Sequence, residues 1–567
     1  MPLSPLTGEE RELLIQRGLD DKYRLACQAR LGGDVVVFVP EATRRAKQII
    51  RKSVVERATA VKRAIKKYYV ELPPPTLDKP IADSELLIAE LEHSFGLRDL
   101  SIDYPVLKEL SACLRSSEWK ATVTVWMKHQ IIKVEPGYVD KIYGLAIDIG
   151  TTTVAGYLCD LESGEVLATE GIMNPQVAYG EDVMSRITYT TMNSDGLATL
   201  NAAIVEAINT LIVSLTKQIG IRPEGISEVT IVGNTTMHHV LLNISPEYLA
   251  KIPFAPTINS SLDIKSRVLG IGLGESANAH ILPVKAGFLG ADTVGVLIAE
   301  EPYNQDEVML IIDIGTNGEL VLGNRQRLIS ASCAMGPALE GAHIKFGMRA
   351  APGAIEHLAI DRQDLEVRFK VIGNEAWDMP PSPIKAVGIC GSGIIDAVAE
   401  MVKADIIERS GRFNTKIHSD RLLNNNGYPE FIIAWASETT LGQDITVSIG
   451  DVREVQLAKG AIYAGSRVLM KKLGVTKLDR VVLAGAFGSY INTENALVLG
   501  LFPKCELEKV YSVGNAAGEG ARMALINVDK RQEAEEVVKK IEYVELSAEP
   551  EFQNLFIDAL QFPELNI

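Results

Sequence analysis

The sequence predicts an α/β fold built from two similar halves and preceded by smaller units. Three observations carry this expectation. First, one pattern occurs twice: an apolar run, Asp-Ile-Gly-Thr, and a second apolar run. It appears in "YGLAIDIGTTTVAGYLCDLESGEVLA" from Tyr143 and in "VMLIIDIGTNGELVLGNRQRLI" from Val308. Second, from Tyr143 onward glycine turns separate short strand-like runs from long segments apolar at i, i+3 and i+4. Third, upstream of Tyr143 the texture changes to a basic and then proline-rich stretch.

The 567 residues are enough for roughly three to four domains, each with its own core. A composition 47% hydrophobic and 23% charged is that of a globular protein. The formal net charge of -16 argues against a nucleic-acid partner. By eye no apolar run approaches the ~18 residues of a membrane span, and "MPLSPLTGEERELL" has no signal-peptide core. A cytoplasmic location with no membrane partner is therefore expected. Cys27, Cys113, Cys159, Cys333, Cys390 and Cys505 form no CxxC pair, which suits reduced thiols.

Residues 1–40 end in "YRLACQARLGGDVVVFVPE", a turn and a short β-rich run. Residues 41–79 are basic and then rich in proline; Pro73, Pro74 and Pro75 exclude a helix and read as a stiff extended linker. The basic part reads as a solvated linker rather than as a helix lying on an acidic partner. Residues 80–142 read as a small α+β domain, in which helices "DSELLIAELEHSFG" and "YPVLKELSACLRSS" lead into one alternating strand, "KATVTVWMKHQIIKVEPG". Within 143–567, strands are expected at 144–149, 228–232, 308–312 and 480–484. The helices "DGLATLNAAIVEAINTLIVSLTKQIG" and "EVQLAKGAIYAGSRVLMKKLG" are expected to end at Gly220 and Gly474.

In the first repeat a strand delivers Asp148 to its tip and Gly150 lets the chain reverse. Thr151, Thr152 and Thr153 then present hydroxyls and successive N–H groups, a nest suited to phosphate. A carboxylate would repel phosphate, so the natural role of Asp148 is to hold hydrated Mg²⁺ beside one. Asp313, Gly315, Thr316, Asn317 and Gly318 repeat the arrangement. One such turn is a plain hairpin loop, whereas two opening two halves can grip a polyphosphate from both sides with the metal between the aspartates.

Other glycine loops fit the same site. "VTIVGNTTMHH" ends a strand with Gly233, Asn234, Thr235 and Thr236, and "VGICGSGIIDAVAEM" leads Gly391, Ser392 and Gly393 into an apolar helix whose free N–H groups favour an anion. "RVVLAGAFGSYIN" offers Gly485, Ala486, Phe487 and Gly488 as a small-residue loop for a base or ribose. Each of these also reads as a tight turn. The glycines of "KAGFLGADTVG" and "VGNAAGEGARMAL" read as packing positions, with Asp292 the polar residue of interest among them. Glu340 is a candidate for positioning water. His238 and His239 read as incidental, Cys113, Cys333 and Cys390 as structural, and Asp396 as a helix-surface or packing carboxylate.

Asp-x-Gly-Thr-Thr, Asp-x-Gly-Thr-Asn-Gly, Gly-Asn-Thr-Thr and Ala-Gly-Ala-Phe-Gly resemble the phosphate 1, phosphate 2, connecting and adenosine segments of one superfamily. That superfamily contains acetate and sugar kinases, heat-shock chaperone ATPases and actin. Within it, "NPQVAYGEDVMSRI", "VGNTTMHH", "CAMGPALEGAHIKFGMRAAPGAIE" and "LAGAFGSYIN" look most like the reductive activators of corrinoid proteins, over nearly the whole chain. The resemblance implies a two-lobed, actin-like and ribonuclease H-like ATPase domain at 143–567. It implies ATP and Mg²⁺ as cofactors, Asp148, Asp313 and Glu340 as catalytic residues, and the two aspartates as Mg²⁺ holders through water. The implied activity is an ATPase coupled to electron transfer, assisting Co(II) to Co(I) reduction in methyl-transfer metabolism. The implied partners are a corrinoid protein and an electron donor or ferredoxin domain, and a homodimer stays open. Alternatives within the superfamily are an activator of 2-hydroxyacyl-CoA dehydratases, which needs a [4Fe–4S] cluster held between subunits, and a small-molecule kinase. An ATP-gated adaptor without turnover is a third.

The same family carries a plant-type [2Fe–2S] ferredoxin domain with a C-x₄-C-x₂-C run and a distant fourth cysteine. "YRLACQARLGGDVVVFVP" resembles the closing piece of such a domain, with Cys27 as the fourth ligand. Residues 1–40 therefore read as its C-terminal remnant. The other three ligands belong upstream, and the 26 residues before Cys27 contain no cysteine. A single thiolate cannot hold a two-iron cluster, so the chain as written is expected to lack it.

Overall fold

The computed structural model describes residues 4–8, 11, 14–15, 23–24, 29 and 57–564, except 316, 375, 378–384, 426–427 and 486–489. Contacts divide the chain into a unit of residues 1–47 and a unit of residues 48–567. In the first, Leu14 is buried and Arg24 donates to the Ser4 carbonyl at 2.7 Å. Cys27, the run at 30–40 and the basic stretch at 41–56 lie outside the described residues.

The second unit opens with a four-stranded sheet, β1 (Ile65–Glu71), β2 (Ser101–Ile102), β3 (Lys120–Trp126) and β4 (Gln130–Pro136), in the order β1-β3-β4-β2. The helices Asp83–Phe95 and Tyr104–Ser116 bury Leu87, Leu91, Leu110 and Leu114 with Val123, Val125 and Ile131 in one core. Two expectations are corrected here. Ile65–Glu71, read as linker, is a strand. Lys66 is exposed, while Lys67 faces the opposite side and pairs there with Glu135 at 2.7 Å, so a half-buried strand carries the composition of a solvated linker. The single strand expected at 120–137 is a hairpin. Met127 (φ 48°) and Lys128 (φ 62°) turn the chain with two positive φ angles and no Gly or Asn to announce it.

The remainder is built on two matching sheets. β5 (Tyr143–Ile149), β6 (Thr153–Asp160), β7 (Val166–Met173), β8 (Ile226–Gly233), β9 (Leu262–Lys265) and β10 (Asn278–Ile281) take the order β7-β6-β5-β8-β10-β9. β11 (Met309–Ile314), β12 (Asn317–Gly323) and β13 (Leu328–Ala334) join β20 (Arg480–Ala484), β21 (Val510–Gly514) and β22 (Glu542–Tyr543) in the order β21-β20-β11-β12-β13-β22. In each, the strand carrying the aspartate pairs antiparallel with its hairpin partner on one side and parallel on the other. The Asp-Ile-Gly-Thr repeat is thus a repeat of topology. Two three-stranded sheets complete the second half: β14 (Ala354–Ile360), β15 (Val367–Val371) and β16 (Gly388–Ile389), then β17 (Leu422–Asn425), β18 (Tyr428–Ala434) and β19 (Ile445–Ser448).

The helix Gly196–Ile219 ends at Gly220 in the left-handed region, as expected. By length and composition it could cross a membrane, which corrects the reading by eye of the apolar runs. Here its apolar stripe of Leu200, Ile204, Ile208, Leu211 and Leu215 shares a core with Leu145 and Val154. Its polar face bonds to the rest of the chain through Asn201 to the Val240 carbonyl and Ser214 to Glu170. The helix expected before Gly474 runs from Ile449 to Leu473 and is capped by Ser448 and Asp451.

The helices Ala291–Glu300 and Ala516–Ile526 lie against each other where the halves meet. A Cβ on Gly520 would fall 2.0 Å from the Gly295 carbonyl oxygen, and one on Gly295 2.8 Å from that of Ala517. The packing role expected for these glycines is what the two helices display.

Candidate active site

The ends of β5 and β11 bring both turns to one cleft. Asp148, Gly150, Thr151, Thr152 and Thr153 line it from the first turn, and Asp313, Gly315 and Asn317 from the second. Asn234, Asp292, Glu319, Glu340, Gly485 and Asn515 complete its wall.

Each aspartate is the penultimate residue of its strand, so the sheet holds its backbone on both sides. Asp148 Oδ2 accepts from Asn515 Nδ2 at 2.9 Å, and the same amide donates to the Tyr157 hydroxyl at 2.8 Å. Asn515 Oδ1 caps its own helix by accepting from the Gly518 N–H at 3.1 Å, which fixes the amide orientation. The first turn closes through Gly150 N–H to the Thr153 carbonyl at 2.9 Å, the second through Gly315 N–H to the Asn317 carbonyl at 3.1 Å. Asn234 donates to Thr151 Oγ1 at 3.0 Å and caps the helix Thr235–Leu241 through the Met237 N–H. From across the cleft, Glu340 Oε2 accepts from Thr152 Oγ1 at 2.8 Å. Gly485 is a glycine for two reasons: its φ is +92°, and a Cβ would lie 2.7 Å from Asp313 Oδ1.

The cleft is electrostatically crowded. Burial, then repulsion from Asp313 and Asp148, pushes the Asp292 carboxyl up to about 7. Burial, then Asp292 and Asp313, drives Glu319 well above the carboxylate range. Strand register explains Glu319, which stands directly opposite Asp313 in the β11–β12 hairpin, where Ala155 stands opposite Asp148 in the first. Glu319 and Asn515 are the site residues that sequence reasoning missed. The available signal for Glu319 was the hairpin register itself; for Asn515 nothing local distinguished it from the packing glycines around it.

Other expected residues stand elsewhere. Gly233, Thr235 and Gly318 sit behind the wall: a Cβ on Gly233 would meet the Ile149 carbonyl at 2.8 Å, Thr235 Oγ1 donates to the Ala286 carbonyl at 2.6 Å, and Gly318 packs on Cys333. Gly391, Ser392 and Gly393 do not line this cleft. A Cβ on Gly391 would fall 1.8 Å from the Leu339 carbonyl and one on Gly393 2.2 Å from that of Ile355, so close packing explains both glycines. Thr316, Ala486, Phe487 and Gly488 lie outside the described residues. His239 Nδ1–H donates to the Thr235 carbonyl while Nε2 accepts from the Thr257 N–H, which makes it a buried neutral imidazole. His238 is buried beside it, its pKa brought down to about 3 by burial first and His239 second. The Cys333 and Cys390 thiols donate to the Gly318 and Ile355 carbonyls, and Cys113 is half-buried. Asp396 is interior, bonded to His357 and Asn495, and not a helix-surface residue.

Residues 307–567 match the family model described as the C-terminal domain of RACo, the ASKHA domain. Residues 143–305 match the RACo middle region and 54–141 the RACo linker region. The solved structure of a reductive activator for corrinoid, iron-sulfur protein is 35% identical, with a TM-score of 0.81 over 99% of this chain and 89% of that one. The chain belongs to the RACo family of reductive activators. Among curated RACo-like proteins, the corrinoid activation enzyme RamQ of Eubacterium limosum is 35% identical over 80% of this chain and 76% of its own length. The [Co(II) methylated amine-specific corrinoid protein] reductase of Methanosarcina barkeri is 26% identical over 74% and 77%. The second of the two matching sheets lies in the ASKHA domain and the first in the middle region, an arrangement consistent with a two-lobed actin-like fold.

Proposed function

We propose that this chain is an ATP-dependent activator that assists the reduction of a partner corrinoid protein from Co(II) to Co(I). The observation that carries the reading is the convergence of two Asp-Ile-Gly-Thr turns and five carboxylates in one cleft between two matching lobes. Thr151, Thr152, Thr153 and Asn234 bind phosphate on one side, Gly315 and Asn317 on the other, and the loop at 485–488 receives the adenosine. The crowded oxygen donors fit Mg²⁺, a hard cation that keeps much of its water. Asp148 and Asp313 hold it through water. Bound there, Mg²⁺ supplies neutralisation of phosphate charge. Glu340 orients the attacking water, with positioning and electrostatics providing the rest.

Cys113, Cys159, Cys333, Cys390 and Cys505 do not converge, so these five do not fit an iron–sulfur cluster. The electron comes from a separate donor or a ferredoxin domain. Shifting a two-state equilibrium by ~10⁴ takes about 5.5 kcal/mol of differential binding, equivalent to roughly 240 mV for one electron. Closure of the two lobes on ATP provides that differential by clamping the corrinoid partner, and hydrolysis resets the clamp. In this reading 1–40 is ferredoxin-like, 41–79 a linker apart from its strand, 80–142 a small α+β domain inside the RACo linker region and 143–567 the cytoplasmic ATPase. The test mixes the chain with ATP, a low-potential reductant and a Co(II) corrinoid protein while the cobalt spectrum is followed. ATP-dependent growth of Co(I) is expected. Its absence, even with a supplied ferredoxin domain, overturns the proposal.

A further inference from the structure

The segment "NPQVAYGEDVMSRI" carries part of the family likeness, yet none of its side chains lines the cleft. It is packed behind the first turn instead, where Asn174, Gln176 and Arg186 are each 0% exposed. Asn174 Nδ2 donates to the Gly150 carbonyl at 2.9 Å, and the Arg186 guanidinium donates to the Thr151 carbonyl. The guanidinium also donates to the Gly180 carbonyl at 2.9 Å and to Gln176 Oε1 at 3.2 Å, with Met237 Sδ at 3.3 Å. Its partners are thus carbonyls, an amide and a thioether, with no carboxylate among them.

A buried guanidinium without an ion-pair partner is costly, and a group that only needed to brace a loop could be neutral. Burial brings its pKa down to about 10, against the pull of Asp182 and Glu340, so it is still a cation at neutral pH. The two carbonyls it shares with Asn174 belong to consecutive peptide groups. A peptide group joins the carbonyl of one residue to the N–H of the next. A donor on the oxygen polarises the group and strengthens its N–H as a donor in turn.

We propose that Arg186 and Asn174 are positioning residues for phosphate: Arg186 strengthens the Thr152 N–H and Asn174 the Thr151 N–H toward an anion in the cleft. The buried cation then finds its counter-charge when the polyphosphate arrives. This inference rests on the reading of the cleft as a phosphate site, and it assigns a task to a motif that the cleft lining leaves unexplained.

The test measures ATP and adenosine binding to the intact chain by calorimetry, with apo thermal midpoints and far-UV circular dichroism as fold controls. Arg186→Met is expected to weaken ATP by about 10-fold or more while leaving adenosine affinity unchanged. Arg186→Lys, which keeps the charge without the fork, is expected to recover part of the loss. Asn174→Ala, which removes a neutral donor, should weaken ATP by about 2- to 10-fold and serves if Arg186→Met does not fold. Equal loss of ATP and adenosine reveals a merely structural brace and overturns the inference. So does wild-type ATP affinity in Arg186→Met or, where that variant does not fold, in Asn174→Ala. A wild-type chain that binds no ATP overturns the reading of the cleft, and the inference with it.

Discussion

Asp148 and Asp313 were legible as a pair because everything that defines each turn lies within a few consecutive residues: strand, acid, glycine, hydroxyl. Replacing either by Ala should lower ATP turnover by at least about 10²-fold, since in the proposed site each faces the developing phosphate charge. Wild-type ATPase rates in either variant would refute the paired grip. Glu340 calls for a subtler change. In Glu340→Gln the amide oxygen still accepts from Thr152, so ATP binding should persist while turnover falls by about 10²-fold through loss of the carboxylate. A parallel loss of affinity and turnover would assign Glu340 to holding the lobes rather than to water. Glu319 and Asn515 escaped sequence reading because their importance is relational. Glu319 matters through its place opposite Asp313, and Asn515 through a bond to an acid 367 residues away.

At the scale of elements, capping and turn chemistry predicted helix ends well: Gly220 and Gly474 stop their helices where expected. They failed at Met127-Lys128, where the tertiary fit of a hairpin holds two residues at positive φ against their preference. The helix pair Ala291–Glu300 and Ala516–Ile526 is the element most sensitive to volume. Gly520→Ala should cost about 1–3 kcal/mol by overpacking against the Gly295 backbone, seen as a lowered thermal midpoint. An unchanged midpoint would mean the two helices can separate freely. The helix Ile449–Leu473 makes a separate prediction through Lys459, which is 2% exposed, donates to the Gln561 carbonyl and lies 5.2 Å over the Phe562 ring. Burial lowers its pKa from 10.5 to about 7. Below that value folded and unfolded chains both hold the proton, and the cost of burying the charge is felt in full. Between about 7 and 10.5 only the unfolded chain holds it, so this group's contribution to stability rises with pH. Thermal midpoints should climb from about pH 7 to pH 9 by an increment that Lys459→Met removes. Identical slopes in the two proteins would exclude the effect.

At the scale of the molecule, the small sheet and the two larger sheets are joined by buried polar contacts that no local pattern announces. Glu228 on β8 accepts from Trp126 of the small sheet at 2.9 Å and from both terminal nitrogens of Arg531, in the helix Val528–Lys540, at 3.0 and 2.8 Å. Glu228→Gln leaves Arg531 buried without its counter-charge and should cost about 3–5 kcal/mol. Urea unfolding followed by tryptophan fluorescence reads that loss, and a wild-type midpoint would show the junction to be inessential. Upstream, Arg57 donates its N–H to Glu519 and its guanidinium to Glu300, and Lys62 pairs its backbone with Ile526 and Val528. The start of the small domain is thereby tied to both junction helices, whose other ends carry Asp292 and Asn515 into the cleft. The sequence by itself determined the duplicated acid-glycine-hydroxyl turn and the α/β class, because turn chemistry and hydrophobic period act over a few residues. Only the tertiary structure decided which glycines face the cleft and which face a neighbouring backbone. It also decided that five carboxylates share one space and that Arg186 stands behind Thr151 rather than in solvent. Those facts depend on where two sheets of matching topology meet, and register and packing between distant segments are not written in any one stretch of chain.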